Sequence, residues 1–234
     1  MIPFQVMGSK TTNLFSRNLG SITADQQFIL QEATVTVIGC GGLGGFVIEE
    51  LARLGAGSLY ICDPDTFSTS NINRQLYALS ETLGQYKTEV AAKRIRLMHG
   101  RTAVLPLPTR FQEAKKQLFA NTDVVVDCLD NIESRHELAK LCGQHELPLV
   151  HGAVRQWYGQ VGVRLAGGTL IQDLYGSERE QEESAPSVLS CTVALIASIQ
   201  VAETAKLLFG MDSPLHNNWM SIDLRRMTFD MIAR

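Results

Sequence analysis

Short apolar runs of four or five residues alternate along the chain with stretches whose apolar positions recur every three or four residues. The first pattern predicts buried strands, the second helices with one face on a core. Residues 35–38 form the first β-branched run, and 46–54 a helix that glycines end at 55 and 57. Residues 58–62 give a second strand, stopped by Asp63-Pro64-Asp65. A polar, asparagine-rich loop covers 66–76. Beyond it the pattern predicts helices over 87–97, 114–119 and 133–145, a weak strand over 102–107, and strands over 124–128 and 148–151. Thr23 is placed to cap a short helix running to Glu32.

Strand thus alternates with helix through the first 150 residues. That is the signature of an α/β fold with a doubly wound, mostly parallel, Rossmann-like sheet. The pattern then changes. Residues 160–165 alternate as a strand with which 169–171 are expected to pair, 178–183 form a charged polar loop, and 187–208 form an apolar helix. Residues 219–223 and 227–231 predict two closing antiparallel strands at the C-terminal end. The whole chain, 1–234, reads as one domain: an arm and helix over 1–33, a nucleotide-binding half over 34–153, and a second half over 154–234 with a crossover loop near 176–187.

Composition narrows the picture. With 45% hydrophobic and 19% charged residues the chain has the make-up of one globular core. A net charge of -3 supplies no field for nucleic acid or an anionic membrane, so neither is expected as a partner. Residues 185–202 carry no charge, but Pro186, Ser187, Ser190, Thr192, Ser198 and Gln200 make them a core helix rather than a membrane span. Neither a basic region nor a long apolar run follows Met1, so no signal peptide is expected. The five cysteines (Cys40, Cys62, Cys128, Cys142 and Cys191) include no C-x-x-C pair. That pattern fits a reducing cytoplasm, with neither a disulfide framework nor structural zinc.

The candidate chemistry begins at Gly39-x-Gly41-x-x-Gly44, between the first strand and its helix. Gly39 permits the tight turn, Gly41 lets phosphate approach the backbone, and Gly44 lets helix and strand pack closely. The helix N-terminus then offers free N–H groups and a positive dipole to an anion. Asp63 ends the second strand about 20 residues on, where an acidic residue holds ribose hydroxyls. Asp65 has no such positional argument and shapes the turn with Pro64. So far an NAD enzyme would satisfy the pattern. Arg74 and Lys87 point elsewhere: a triphosphate adds charge that leaves as pyrophosphate and needs fixed cations. Spacing alone leaves both as phosphate clamps or as ordinary surface cations. Asp127-Cys128-Leu129-Asp130-Asn131 follows a strand, where a carboxylate either holds Mg²⁺ or caps the next helix.

Taken in order, Gly39-x-Gly41-Gly42-Leu43-Gly44, Asp63-x-Asp65, Ser70-Asn71-x-Asn73-Arg74-Gln75, Lys87 and Asp127-Cys128-x-Asp130-Asn131 resemble the adenylation core of the ThiF/MoeB/HesA family, bacterial relatives of ubiquitin-activating E1 enzymes. Ser16-Arg17-Asn18 resembles the family's N-terminal Ser-Arg-Gln motif, and residues 202–208 its C-terminal helix. The resemblance implies ATP and Mg²⁺ as cofactors. As substrate it implies the C-terminal Gly-Gly tail of a ubiquitin-like sulfur-carrier protein, in a thiamine- or molybdopterin-type pathway. By position, Gly39, Gly41, Gly42 and Gly44 would cradle phosphate and Asp63 would hold ribose. Asn71, Arg74 and Lys87 would bind the phosphates, and Asp130 would hold Mg²⁺ with Asn131 beside it. Arg17 would reach the ATP of a partner subunit, since such proteins are typically homodimers.

Two departures stand out. The two C-x-x-C pairs common in the family are absent, so no zinc is expected. The family's cysteine before the last long helix aligns near Glu183, whereas Cys191 falls inside the apolar helix and reads as a small core residue. His151 follows a strand and reads as structural; His136 sits beside the Asp130 block with no partner to infer. Two rivals remain. Residues 73–96 also resemble tRNA threonylcarbamoyladenosine dehydratases, against which the acidic net charge and Asp127-Cys128 weigh. The other is a redox or non-catalytic NAD-binding module.

Overall fold

The five residues of β1 (Thr34–Ile38) sit at the centre of the molecule, with Val35, Thr36 and Val37 wholly buried. Burial on both faces is what a central parallel strand requires, and the β-branched run supplies it. Even Thr36 is accommodated, its hydroxyl meeting the Leu118 carbonyl at 3.0 Å and the Thr122 hydroxyl at 2.6 Å. The computed structural model describes residues 14–176 and 187–233.

In chain order the elements are α1 (Ala24–Glu32), β1, α2 (Gly42–Leu54), β2 (Ser58–Cys62), α3 (Lys87–Met98), β3 (Ala103–Leu107), α4 (Lys115–Phe119), β4 (Val124–Asp127) and α5 (Ile132–Gln144). β5 (Leu149–Arg155), β6 (Tyr158–Arg164), α6 (Leu170–Tyr175), α7 (Ser190–Leu208), β7 (Trp219–Asp223) and β8 (Thr228–Ile232) follow. Thr23 caps α1 in a reciprocal capping box with Gln26, and Gly55 ends α2 at a φ of 97°.

The eight strands form one sheet in the order β3-β2-β1-β4-β5-β6-β7-β8. β1 to β5 run parallel, and β5 to β8 pair antiparallel. The chain moves from β1 outward to β3 and then returns to place β4 on β1's other side. The crevice between β1 and β4 is therefore the switch point at which ligands bind such sheets. Val124 and Val126 join the core shared with α2, α3 and α7, while Val125 joins the core of α4 and α5.

α7 is long and apolar enough to cross a membrane by length and composition, yet it packs on α2, β4, β5 and β6, as expected of a core helix. It begins at Ser190, three residues later than the pattern predicts. Residues 169–171 do not form a strand: Leu170 and Ile171 open α6 and are fully buried there. The physical reason is that both edges of β6 are occupied, by β5 and β7. The charged stretch 178–183 and most of the expected crossover loop lie outside the described residues.

Candidate active site

Two turns meet in the crevice. Gly39 leaves β1 at a φ of 93°, and a Cβ there would lie 2.5 Å from the carbonyl oxygen of Cys128. The glycine thus lets the loop after β1 close directly onto the loop after β4. Gly44 seats α2 on the same turn, since its missing Cβ would fall 1.8 Å from the Gly39 carbonyl oxygen. Gly41 precedes Gly42 at the start of α2, where no side chain caps the helix. Its first N–H groups and dipole remain available to an anion.

Asp63, buried at the end of β2, accepts the Cys40 N–H at 2.7 Å and the Asp65 N–H at 2.8 Å. Burial raises its pKa above the usual carboxylate value, against the Lys87 charge and the two N–H donors, which lower it. Asp65 does more than shape a turn with Pro64. Its carboxylate pairs with Lys87 Nζ at 2.9 Å, and its carbonyl accepts the Lys87 N–H at 3.0 Å. Lys87 is only 7% exposed at its side chain, so it is not an ordinary surface cation.

The loop between β2 and α3 turns through a 3₁₀ segment at Thr69–Asn71. Buried Asn71 accepts the Ser68 N–H at 3.0 Å. Arg74 donates to the Ser70 carbonyl and to Asn73 Oδ1, both at 2.9 Å, so its two bonded acceptors are neutral. Asn73 reaches the Val188 carbonyl at 3.3 Å, tying this loop to the lead into α7. Gln75 is buried beside Gly41, and its Oε1 has no hydrogen-bond partner among the described residues. Sequence reasoning gave Gln75 no role, although it stands next to Arg74 in the motif.

Asn131, not Asp130, caps α5, accepting the Ser134 N–H at 2.9 Å. The Asp130 carboxylate is therefore left exposed, 3.4 Å from Asn131 Nδ2. Asp127 is fully buried and faces inward: Oδ1 accepts the Leu129 N–H at 2.9 Å and Oδ2 lies 2.7 Å from His151 Nδ1. His151, also fully buried, lies within β5 rather than after a strand. Among the described residues no three His, Cys, Asp or Glu side chains gather into a metal cluster. One exposed carboxylate beside a phosphate cradle fits Mg²⁺, which protein often holds through one or two carboxylates plus phosphate oxygens.

Two expected residues lie elsewhere. Arg17 is exposed in a turn at the far end of α2: Phe15 packs edge-on against His99, and Asn18 donates to the Leu54 carbonyl at 3.1 Å. The 13 residues of α2 separate that turn from the glycine loop, about 20 Å along the axis. Cys191 is exposed in the first turn of α7 and is not a core residue, because Thr192 and Val193 occupy the buried positions of that turn.

Residues 15–234 match the model of the ThiF family. The SAMP-activating enzyme E1 of Haloferax volcanii is 31% identical over 87% of this chain and 77% of its own length. The molybdopterin-synthase adenylyltransferase of Escherichia coli is 31% identical over 88% of this chain and 84% of its own. A tRNA threonylcarbamoyladenosine dehydratase from Haemophilus influenzae is 35% identical, but over 55% of this chain and 50% of its own. Among solved structures, E. coli MccB with MccA-N7isoASN superposes over 96% of this chain and 72% of its own, with a TM-score of 0.83. At 20% identity that likeness speaks for the fold.

Proposed function

The chain belongs to the ThiF family and is an adenylyltransferase, and from that premise we propose that it adenylates the C-terminal glycine carboxylate of a ubiquitin-like sulfur-carrier protein. One observation carries the reading. The closure of Gly39 onto Cys128 puts the phosphate cradle and Asp130 on two loops that touch, so both serve a single bound nucleotide.

In this reading a carboxylate oxygen of the carrier attacks the α-phosphorus of ATP. The bond from that phosphorus to the β-phosphate bridging oxygen breaks, giving an acyl-adenylate and pyrophosphate. The N-terminus of α2, with Gly41 and Gly42, faces the phosphates, and Asp63 takes the ribose hydroxyls. Arg74 grips phosphate oxygens through its planar fork, and Lys87 acts as a point charge. Gln75, whose buried Oε1 has no partner among the described residues, packs against Gly41 of the cradle. Mg²⁺ held by Asp130 would neutralise charge on the departing pyrophosphate. Asp63, Arg74 and Lys87 are held by hydrogen bonds before reaction, which is what makes such stabilisation effective. We also propose a homodimer in which Arg17 acts on the partner's nucleotide, because in its own subunit it is a helix length from the cradle.

The test is exchange of labelled pyrophosphate into ATP, with Mg²⁺ and candidate carriers ending in Gly-Gly. Exchange that disappears when the terminal glycines are removed is expected. No exchange with any carrier, together with thermal protection by NAD and none by ATP, overturns adenylation. The partial likeness to a tRNA dehydratase gives a second reading, an adenylated carboxylate on modified tRNA. ATP cleavage dependent on such tRNA, and on no protein carrier, would select it.

A further inference from the structure

Below the Asp130 loop lies a ring of polar groups that the reaction above does not use; Asp127, Arg135 and His151 are buried and Tyr175 is half-buried. Asp127 Oδ2 meets His151 Nδ1 at 2.7 Å, and His151 Nε2 meets the Tyr175 hydroxyl at 3.0 Å. The same hydroxyl accepts Arg135 Nη1 at 2.5 Å and Gln160 Nε2 at 2.6 Å. Arg135 Nε lies 3.8 Å from Asp127 Oδ2, which closes the ring.

The donors fix the protons. Arginine and glutamine amides only donate, so together they fill both lone pairs of the Tyr175 oxygen. Its proton then has one destination, His151 Nε2. The imidazole is neutral, protonated at Nδ1, and donates to Asp127. Among these groups Arg135 Nε alone makes no hydrogen bond to the described residues, and faces Asp127 only as a charge at 3.8 Å.

The ring also grips one residue, Leu129, through the peptide units on either side of it. Asp127 Oδ1 takes the Leu129 N–H at 2.9 Å, and Arg135 Nη2 donates to the Leu129 carbonyl. Leu129 immediately precedes Asp130. We propose that His151 and Tyr175 are positioning residues: through Asp127 and Arg135 they clamp Leu129 and aim the Asp130 carboxylate at the nucleotide-bound cation. The clamp makes α6, which ends at Tyr175, part of the site's support. This rests on the proposed role of Asp130. Partners behind a metal ligand are typically worth 10–100-fold in metal affinity or activity.

The test titrates ATP into the whole protein at a series of Mg²⁺ concentrations and follows the Leu129 amide by hydrogen exchange. Tyr175→Phe and His151→Leu should raise the Mg²⁺ needed for half-maximal tight binding by about tenfold, leaving ATP binding without Mg²⁺ unchanged. His151→Asn, which keeps a donor toward Asp127, should stay closer to wild type. Leu129 should exchange faster in Tyr175→Phe. Equal loss of binding with and without Mg²⁺ overturns the proposal, since that is what general loosening would do. Unchanged Leu129 exchange in Tyr175→Phe also overturns it, whatever the nucleotide does. If Tyr175→Phe does not fold, His151→Asn against His151→Leu decides by the same measures. A wild type that binds MgATP but exchanges pyrophosphate with no carrier sinks the proposed substrate, and leaves the clamp to be judged on Leu129.

Discussion

Cys40 donates its backbone N–H to Asp63 at 2.7 Å, and this bond fastens the glycine loop to the end of β2. Asp63 therefore has a scaffold role as well as a proposed ligand role, and substitutions should separate the two. Its pKa is raised by burial, so its ionised form works against stability at neutral pH. Asp63→Asn loses the charge and keeps one of the two acceptor oxygens, so it should lose less stability than Asp63→Ala. Asp63→Ala leaves two N–H groups without an acceptor and should lose about 1–3 kcal/mol. Urea unfolding at pH 7 reads both, and both variants should bind ATP more weakly.

Arg74→Ala and Asp130→Ala should each lower pyrophosphate exchange by about 10²–10³-fold. Neither side chain supports the core: Asp130 is exposed, and Arg74 bonds only to its own loop. Melting temperatures should stay at the wild-type value. A folded variant that exchanges at the wild-type rate removes that residue from the site.

Mixing inactive Arg17→Ala protein with inactive Arg74→Ala protein should restore activity. A heterodimer holds one site spoiled twice and one intact if Arg17 acts across subunits. Subunit exchange without recovered activity, followed by native mass spectrometry, refutes action in trans.

Stability should fall as the pH drops below about 6.5, in part through His151. Burial lowers its pKa, against the neighbouring Asp127, while Arg135 adds to the lowering and Tyr175 faces it as a neutral group. The unfolded histidine takes a proton there that the folded one resists, so the folded state loses ground by up to about 1.4 kcal/mol per pH unit. Asp63 opposes this, because its raised pKa favours the folded state as pH falls. The difference between wild type and His151→Asn isolates the histidine. Urea unfolding at pH 7.5 and 5.5 should show a shallower pH dependence in the variant.

Native protein should present one fast thiol to a disulfide reagent such as DTNB. Cys40, Cys62, Cys128 and Cys142 are buried, and burial pushes all four thiols up, Cys62 and Cys142 to about 12. Cys191 alone is exposed. Cys191→Ser should abolish the fast phase.

The strand and helix alternation around β1, β2 and β4 was legible because those segments combine β-branched runs with glycine stops. That the glycine loop follows β1 and Asp130 follows β4 was legible because each is adjacent in sequence to its strand. Three things were not. α6 failed because two adjacent apolar residues have no period, and only the occupied edges of β6 decide for helix. Cys191 failed because an apolar helix conceals which face is turned outward. The Asp127, Arg135, His151 and Tyr175 ring failed because its members come from β4, α5, β5 and α6, and no spacing announces their meeting.

The adjacency of β1 and β4 has a kinetic consequence. Val35 pairs with Leu59 on one side, across the single helix α2, but on the other with Val124, beyond β2, α3, β3 and α4. Closing the second pairing requires most of the nucleotide-binding half to be present, and such distant contacts form slowly. During synthesis the glycine turn emerges long before β4 and the Asp130 loop that follows it. A nascent chain can complete β1 and β2 with neither the Cys128 carbonyl nor the Asp130 carboxylate yet made. Nucleotide thus stabilises only chains whose long-range pairing is finished, and ATP in the cell acts late, as a ligand that rewards completed folding rather than one that starts it.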